Sequence, residues 1–242
     1  MPAFNEASYI AKSVLEARDR FSLHCGDLEI IVVNDGSTDD TEKIVSRLAH
    51  NWLRIVGYRI NQGKGFAIKK GFYSVTGGTV FLLDSDLEVK TKELEQYLIA
   101  LKSSDIVIGS KRHPESQVRT PVVRSFLSIG FNLLERLLTG VKATDTQAGL
   151  KAINSATLYR ILPLLSVKKY AFDAELLTVA TLLNLRIKEL PVEIDLKATF
   201  NVKQVFRMFV DLLGIAYRLR VRKWYQKNSL LMSSTYDPII PW

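Results

Sequence analysis

Leu28-Glu29-Ile30-Ile31-Val32-Val33 runs directly into Asn34-Asp35-Gly36-Ser37, and the fold is decided by how this stretch is read. Four apolar residues in a row, all β-branched, suit a strand covered on both faces rather than one alternating between core and water. Asn-Asp-Gly-Ser then supplies turn residues that end it. The pattern recurs at 53–57 (LRIVG), 79–83 (TVFLL) and 105–109 (DIVIG). Helix-like segments lie at roughly 6–22, 39–49, 64–76 and 91–102, with Thr38/Asp39 and Thr91 as N-cap candidates. This alternation predicts an α/β fold with a largely parallel sheet flanked by helices.

Beyond about residue 120 the rhythm changes. A long helix is expected over 121–139, an extended segment at 148–153, helices near 155–165 and 173–183, and a strand near 186–194. A basic, apolar helix is expected next, over roughly 203–226. The tail 229–242 has two prolines and no period, and reads as a poorly ordered end. At the other end, Pro2-Ala3-Phe4-Asn5-Glu6 looks like a strand-to-helix turn preceded only by Met1, so the first strand is expected to be missing.

The 242 residues are 47% hydrophobic and 24% charged, which excludes disorder as the dominant state. One cysteine, Cys25, excludes a disulfide scaffold. No uninterrupted apolar run reaches the length of a membrane span, and the N-terminal sequence has no secretory pattern. The net charge of +8 raises a nucleic-acid reading. Its distribution argues against it: residues 1–200 carry only +3, whereas residues 201–228 carry +6, with the cations set among bulky apolar side chains. On a helical projection Lys203, Arg207, Asp211, Arg218 and Arg222 form one stripe and apolar residues cover the rest. This suits an interfacial helix on anionic lipid, with Trp224 and Tyr225 at the headgroups, or a helix packed on the protein's own core.

In an open α/β sheet, ligands bind at the carboxyl ends of strands. Four segments fall there. Asp84-Ser85-Asp86, with Glu88 nearby, offers oxygen ligands suited to Mg2+ or Mn2+, or is a solvated acidic turn. Asp35 suits either a nucleotide base or an ordinary turn. Asn61-Gln62-Gly63-Lys64-Gly65 opens a helix and permits close backbone approach to an anion, or is a plain glycine turn. Gly109-Ser110-Lys111 comes after the fourth strand. His24, His50 and His113 are too scattered to form a metal motif.

Taken in order, Pro2-Ala3-Phe4-Asn5-Glu6, Asn34-Asp35-Gly36-Ser37, Asn61-Gln62-Gly63-Lys64-Gly65 and Asp84-Ser85-Asp86 resemble the nucleotide-sugar-binding half of family 2 glycosyltransferases of GT-A fold. Asp145-Thr146-Gln147-Ala148-Gly149-Leu150-Lys151 and Ala171-Phe172-Asp173-Ala174-Glu175 resemble motifs of the dolichyl-phosphate glucosyltransferases and their mannosyltransferase relatives. The resemblance implies a transferase domain over residues 1–200, then the interfacial helix 201–228 and the tail. It implies that Pro2, Ala3, Glu6 and Asp35 line a base and ribose pocket, with Gly63, Lys64 and Ser85 beside the nucleotide sugar. Asp84, Asp86 and Glu88 would hold Mg2+ or Mn2+. Lys111, Arg124 and Ser128 would lie near the phosphate of a polyprenyl acceptor, and Lys203 would join the same site. Asp145 would position the acceptor loop or cap a helix. The implied activity is inverting transfer of a hexose, UDP-glucose being the favoured donor, to a polyprenyl phosphate at the cytoplasmic face of a membrane, with the protein bound peripherally. GDP-mannose as donor, a saccharide acceptor and a non-catalytic binding module are the alternatives.

Overall fold

The computed structural model describes residues 1–48, 50–85, 89–90, 94–119, 122–147, 149–195 and 202–235. In chain order its elements are β1 (Pro2–Ala3), α1 (Ile10–Ser22), β2 (Ile30–Asp35), α2 (Thr41–Arg47), β3 (Leu53–Tyr58), α3 (Lys64–Phe72), β4 (Thr79–Leu82), β5 (Val89–Lys90), α4 (Leu94–Leu101) and β6 (Ile106–Ser110). Next come β7 (Gln117–Arg119), α5 (Val122–Thr139), β8 (Lys151–Asn154), α6 (Ser155–Ile161), α7 (Phe172–Leu182), β9 (Ile187–Pro191), β10 (Glu193–Asp195), α8 (Val202–Ala216) and α9 (Trp224–Thr235). A 3-10 turn, Leu162–Leu164, extends α6, and a π-helical turn, Tyr217–Val221, extends α8.

The apolar runs form strands as expected. β1, β2 and β3 are parallel, with Pro2 opposite Val33 and Val33 opposite Val56. The first strand is thus present, though two residues long, and the Met1 amino group adds a hydrogen bond to the Ile31 carbonyl (2.9 Å). A second sheet has the order β4-β8-β6-β9. In it β8 runs antiparallel to both β4 and β6, and β6 is parallel to β9. β4, β6 and β9 therefore all point the same way. A small third sheet, β5-β10-β7, joins the segments beyond β4 and β6.

Helix α3 spans the two larger sheets. Ile68 and Phe72 pack with Val80 and Leu82 of β4 and with α7, in a core of buried aliphatic side chains. Its Gly71 lies so near β2 that a Cβ there would meet the Val33 side chain at 2.9 Å. Between β2 and β4 remains a cleft of about 650 Å³ lined by Ile30, Ile31, Phe72, Val80 and Phe81.

Three further sequence expectations change. The 186–194 strand is two strands in different sheets, broken at Val192, whose amide donates to the Ser116 hydroxyl (3.0 Å). The single helix expected over 203–226 passes through the π turn and breaks at Lys223, whose φ is +50°. Helix α9 continues to Thr235, through a stretch with no sequence period. Among the described residues no helix is long and apolar enough to cross a membrane.

The outer face of the C-terminal segment is divided. Leu212, Ile215 and Ala216 of α8 are buried, while Phe206, Val210, Leu213, Tyr217 and Val221 are exposed. α8 packs against α5, which exposes Ile129, Leu133 and Leu137 at intervals of four residues, on one helical face. Arg220 ties the two together, its Nε donating to the Leu138 carbonyl (2.7 Å).

Candidate functional site

The loops at the ends of β1, β2 and β3 interlock. Asn5, at φ +57°, receives a hydrogen bond on its side chain from the Thr38 amide (2.8 Å), and its own amide donates to the Ser37 hydroxyl (3.0 Å). The Glu6 amide donates to the Thr41 hydroxyl (2.8 Å), and Asp39 accepts the amides of Ala7 and Thr41. Gly36, at φ +66°, leaves no room for a side chain: a Cβ would lie 2.6 Å from the Asn61 nitrogen.

Asp35 is buried at the end of β2 and grips the loop after β3. Its carboxylate accepts from the Asn61 side chain (3.0 Å), the Gln62 amide (2.7 Å) and the Gly63 amide (2.9 Å). Its observed work is thus to shape the glycine turn. That turn opens α3, with Gly63 at φ +99°. Lys64 then reaches Asp84 after β4, Nζ to Oδ1 at 2.6 Å, and the Ser85 hydroxyl donates to Glu6 (3.2 Å). Pro2, Ala3, Glu6, Asp35, Gly63, Lys64, Asp84 and Ser85 are therefore drawn into one cluster.

Strand register brings the second group to the same edge. Leu82 of β4 and Ile108 of β6 both lie opposite Lys151, at the start of β8. The ends of β4 and β6 are thus two strand spacings apart, roughly 10 Å. Lys111, just past β6, is fixed by Asp145: its amide donates to one carboxylate oxygen (2.8 Å) and its ammonium lies 3.5 Å from the other. Asp145 also accepts the Gln147 amide (3.1 Å). Neighbouring Arg112 donates to the Ser128 carbonyl on α5 (3.0 Å), and Ser128 is exposed. Arg124 is in the first turns of α5 and Lys203 at the start of α8, with their side chains outside the described residues. Asp86 and Glu88 also lie outside them.

Of the three expected metal ligands only Asp84 is described, and its carboxylate is of a kind that suits a hard divalent cation. Asp84 offers carboxylate oxygens at a partly open strand end, and the Lys64 ammonium already meets one of them. Among the described residues no group of three metal-ligating side chains occurs, and Asp86 and Glu88 lie outside them.

Several supporting residues were not singled out by the sequence reading. Lys151, fully buried, pairs with Asp173 at 2.8 Å, so the two motifs at 145–151 and 171–175 meet. Glu135 of α5 is fully buried and accepts the Thr146 hydroxyl through Oε2 (2.7 Å), while Oε1 has no hydrogen-bond partner among the described residues. Burial pushes its pKa up to about 7 despite the Thr146 hydrogen bond; Asp145 and Asp173 add to the rise and Lys151 opposes it. A charged residue within the otherwise apolar extended segment expected at 148–153 (Lys151) was the available signal. Glu135 gave none, since an acidic residue within a helix normally faces water. Two residues of the basic segment also turn inward: Tyr225 is fully buried, and Arg218 donates to it through Nε (3.0 Å) rather than joining the outer stripe.

The sequence model of glycosyl transferase family 2 matches residues 1–162. The dolichyl-phosphate beta-glucosyltransferase ALG5A of Trichomonas vaginalis is 35% identical, the match covering 93% of this chain and 74% of that protein. ALG5C of the same organism, also a dolichyl-phosphate beta-glucosyltransferase, is 31% identical over 94% of this chain and 73% of its own length. Among solved structures, glucosyl-3-phosphoglycerate synthase from Mycobacterium tuberculosis, in complex with Mn2+, UDP-glucose and phosphoglyceric acid, superposes with a TM-score of 0.64 at 19% identity, covering 89% of this chain and 76% of that one. The fold is the GT-A arrangement the motifs implied.

Proposed function

The chain belongs to glycosyl transferase family 2, and on that premise we propose that it transfers glucose from UDP-glucose to a polyprenyl phosphate, with inversion, at a membrane surface. The observation that carries the reading is the linked cluster of strand-end loops, in which Asp35 sets the glycine turn and Lys64 meets Asp84. It stands in a chain about a third identical, over nearly its whole length, to a dolichyl-phosphate beta-glucosyltransferase.

In this reading Pro2, Ala3, Glu6 and Asp35 border the base and ribose, and Gly63, Lys64 and Ser85 border the diphosphate and sugar. Asp84, Asp86 and Glu88 hold Mg2+ or Mn2+. Such a cation supplies neutralisation of the charge that gathers on a departing nucleoside diphosphate. An acceptor phosphate oxygen bonds to the anomeric carbon as the bond from that carbon to the diphosphate breaks, and the electron pair leaves with the nucleoside diphosphate. A phosphate monoester, with a second pKa of about 6, is already anionic near neutrality, so the acceptor needs cations to place it more than a general base. Lys111, held at both its amide and its ammonium by Asp145, is one such cation, and Arg124 and Lys203 are the others.

The exposed apolar rows of α5 and α8, with exposed Arg207, Arg220 and Arg222 beside them, seat the transferase domain (residues 1–200) on anionic lipid through the segment 201–228. An acceptor with a polyprenyl tail is then met where it resides.

A donor screen tests the proposal: UDP-glucose, GDP-mannose and other UDP-sugars, each with Mg2+ or Mn2+ and a short polyprenyl phosphate. Glucosyl phospholipid from UDP-glucose is expected, and Asp86→Ala should lower the rate by at least roughly a hundredfold. Mannosyl product alone would replace the donor assignment. Absence of lipid product with every donor would refute the function.

A further inference from the structure

The segment Ala171-Phe172-Asp173-Ala174-Glu175 ends in a carboxylate for which the proposed transfer has no use. Glu175 is fully buried on α7. One of its oxygens accepts the amides of Ser166 (2.8 Å) and Val167 (2.7 Å). The other accepts the hydroxyls of Ser166 (2.7 Å) and Tyr225 (2.6 Å) and an Arg218 guanidinium N–H (3.3 Å). One oxygen thus holds only the strap 165–169, and the other is shared between the strap's Ser166 and the C-terminal residues Arg218 and Tyr225.

The strap lies on the glycine turn. The Phe66 amide donates to the Lys168 carbonyl (3.0 Å), and Lys69 Nζ donates to the Leu165 carbonyl (2.5 Å). A Cβ at Gly63 would stand 2.7 Å from the Lys168 carbonyl oxygen, and one at Gly65 2.7 Å from that of Val167. Backbone rests directly on backbone here, so a shift of the strap is passed to the turn with little slack. The turn in its place carries the Gly63 amide bound to Asp35, and Lys64 bound to Asp84.

We propose that Glu175 is a positioning residue for the nucleotide sugar: it fastens the 165–169 strap, and with it the Gly63–Gly65 turn, to Arg218 and Tyr225, so that the packing of the C-terminal helices sets donor affinity. This rests on the reading of the glycine turn as part of the donor site. Glu175→Gln keeps one oxygen for the two strap amides but sets an amide N–H2 against Arg218. Tyr225→Phe removes two hydrogen bonds on the C-terminal side, the one its hydroxyl donates to Glu175 and the one it accepts from Arg218, and leaves the ring in place.

The test uses the full chain, with equilibrium binding of UDP-glucose in Mn2+ and steady-state kinetics. Tyr225→Phe is expected to raise Kd and KM for UDP-glucose about three- to tenfold, while kcat stays within about twofold. The KM for polyprenyl phosphate should not move. Arg218→Ala should act in the same direction, and Arg218→Lys, which restores a cation beside Glu175, should recover most of the donor affinity. A residue that only stabilised the fold would lower Tm and leave the donor KM unchanged in Tyr225→Phe and Arg218→Ala. That result overturns the proposal if Asp35→Asn, run alongside, does weaken UDP-glucose. If Asp35→Asn also leaves UDP-glucose binding unchanged, the donor-site reading falls and takes this inference with it.

Discussion

Asp35, at the end of β2, is met by neutral donors: the side chain of Asn61 and the amides of Gln62 and Gly63. At the ends of β6 and β8 the buried carboxylates are met by ammonium groups, Asp145 by Lys111 and Asp173 by Lys151, and Glu135 lies among them with one oxygen unpartnered by any described residue. The first region spends its carboxylate on the shape of a turn. The second stores paired charge in a region of low dielectric, where each charge depends on its partner. Shape suffices to recognise a nucleotide through backbone donors, whereas placing an anionic acceptor calls for fixed cations. The two regions should therefore respond differently to mutation and to pH.

Breaking the charged region should cost most. Lys151→Ala leaves Asp173 buried without its ammonium and should destabilise the protein by about 3–5 kcal/mol, measured by urea unfolding. Adding Asp173→Leu to Lys151→Met should return most of that loss, since an apolar pair of similar volume needs no charge compensation. Next, if Lys111 places the acceptor as proposed, Lys111→Ala should lower kcat roughly a hundredfold with a smaller loss of Tm than Lys151→Ala, because Asp145 keeps the Lys111 and Gln147 amide hydrogen bonds. An equal loss of Tm would move Lys111 from placing substrate to holding the fold.

Glu135 sharpens the contrast through pH. Its folded pKa is pushed up to about 7 from the ordinary 4.5, so between those values the folded protein keeps a proton that the unfolded chain releases. Stability contributed by the neutral form is present below about pH 4.5 and is lost as pH rises to about 7. Glu135→Gln should therefore add on the order of 2 kcal/mol at pH 8 and almost nothing at pH 5, read by thermal unfolding at the two pH values. The smallest effect belongs to the neutral region: Asp35→Asn keeps one acceptor but turns a donor toward Asn61 and Gly63. It should raise the KM for UDP-glucose about tenfold with no new pH dependence.

The sequence was most readable where one pattern had one physical cause. Consecutive β-branched residues over 30–33 had to be a covered strand, and the turn after them had to lie at its carboxyl end. The shortest strands were not readable: Val89–Lys90 and Gln117–Arg119 are too brief to show a period, and their partner Glu193–Asp195 is continuous in sequence with β9. Tyr225, set at the headgroups in one of the two readings of this segment, lies beyond the π turn at 217–221 and the left-handed Lys223, which no projection from sequence anticipates. Asp35 was read as either a base ligand or a turn residue, and its hydrogen bonds to the Asn61 loop could be known only once Gly36 had brought that loop against it. Lys151 and Asp173 were quoted in separate motifs, but their pairing joins residues 22 positions apart in sequence on different elements.

The cleft between β2 and β4 has a consequence for how the molecule comes apart. Among the described residues no hydrogen-bond ladder joins β1-β2-β3 to β4-β8-β6-β9; α3 and its apolar contacts bridge them instead. Side-chain contact yields to local fluctuation more readily than a paired strand, so the seam is a natural boundary between cooperative units. Amide exchange should accordingly sort the two ladders into separate openings, with the β2 and β3 amides released at one free energy and those of β6 and β8 at a higher one.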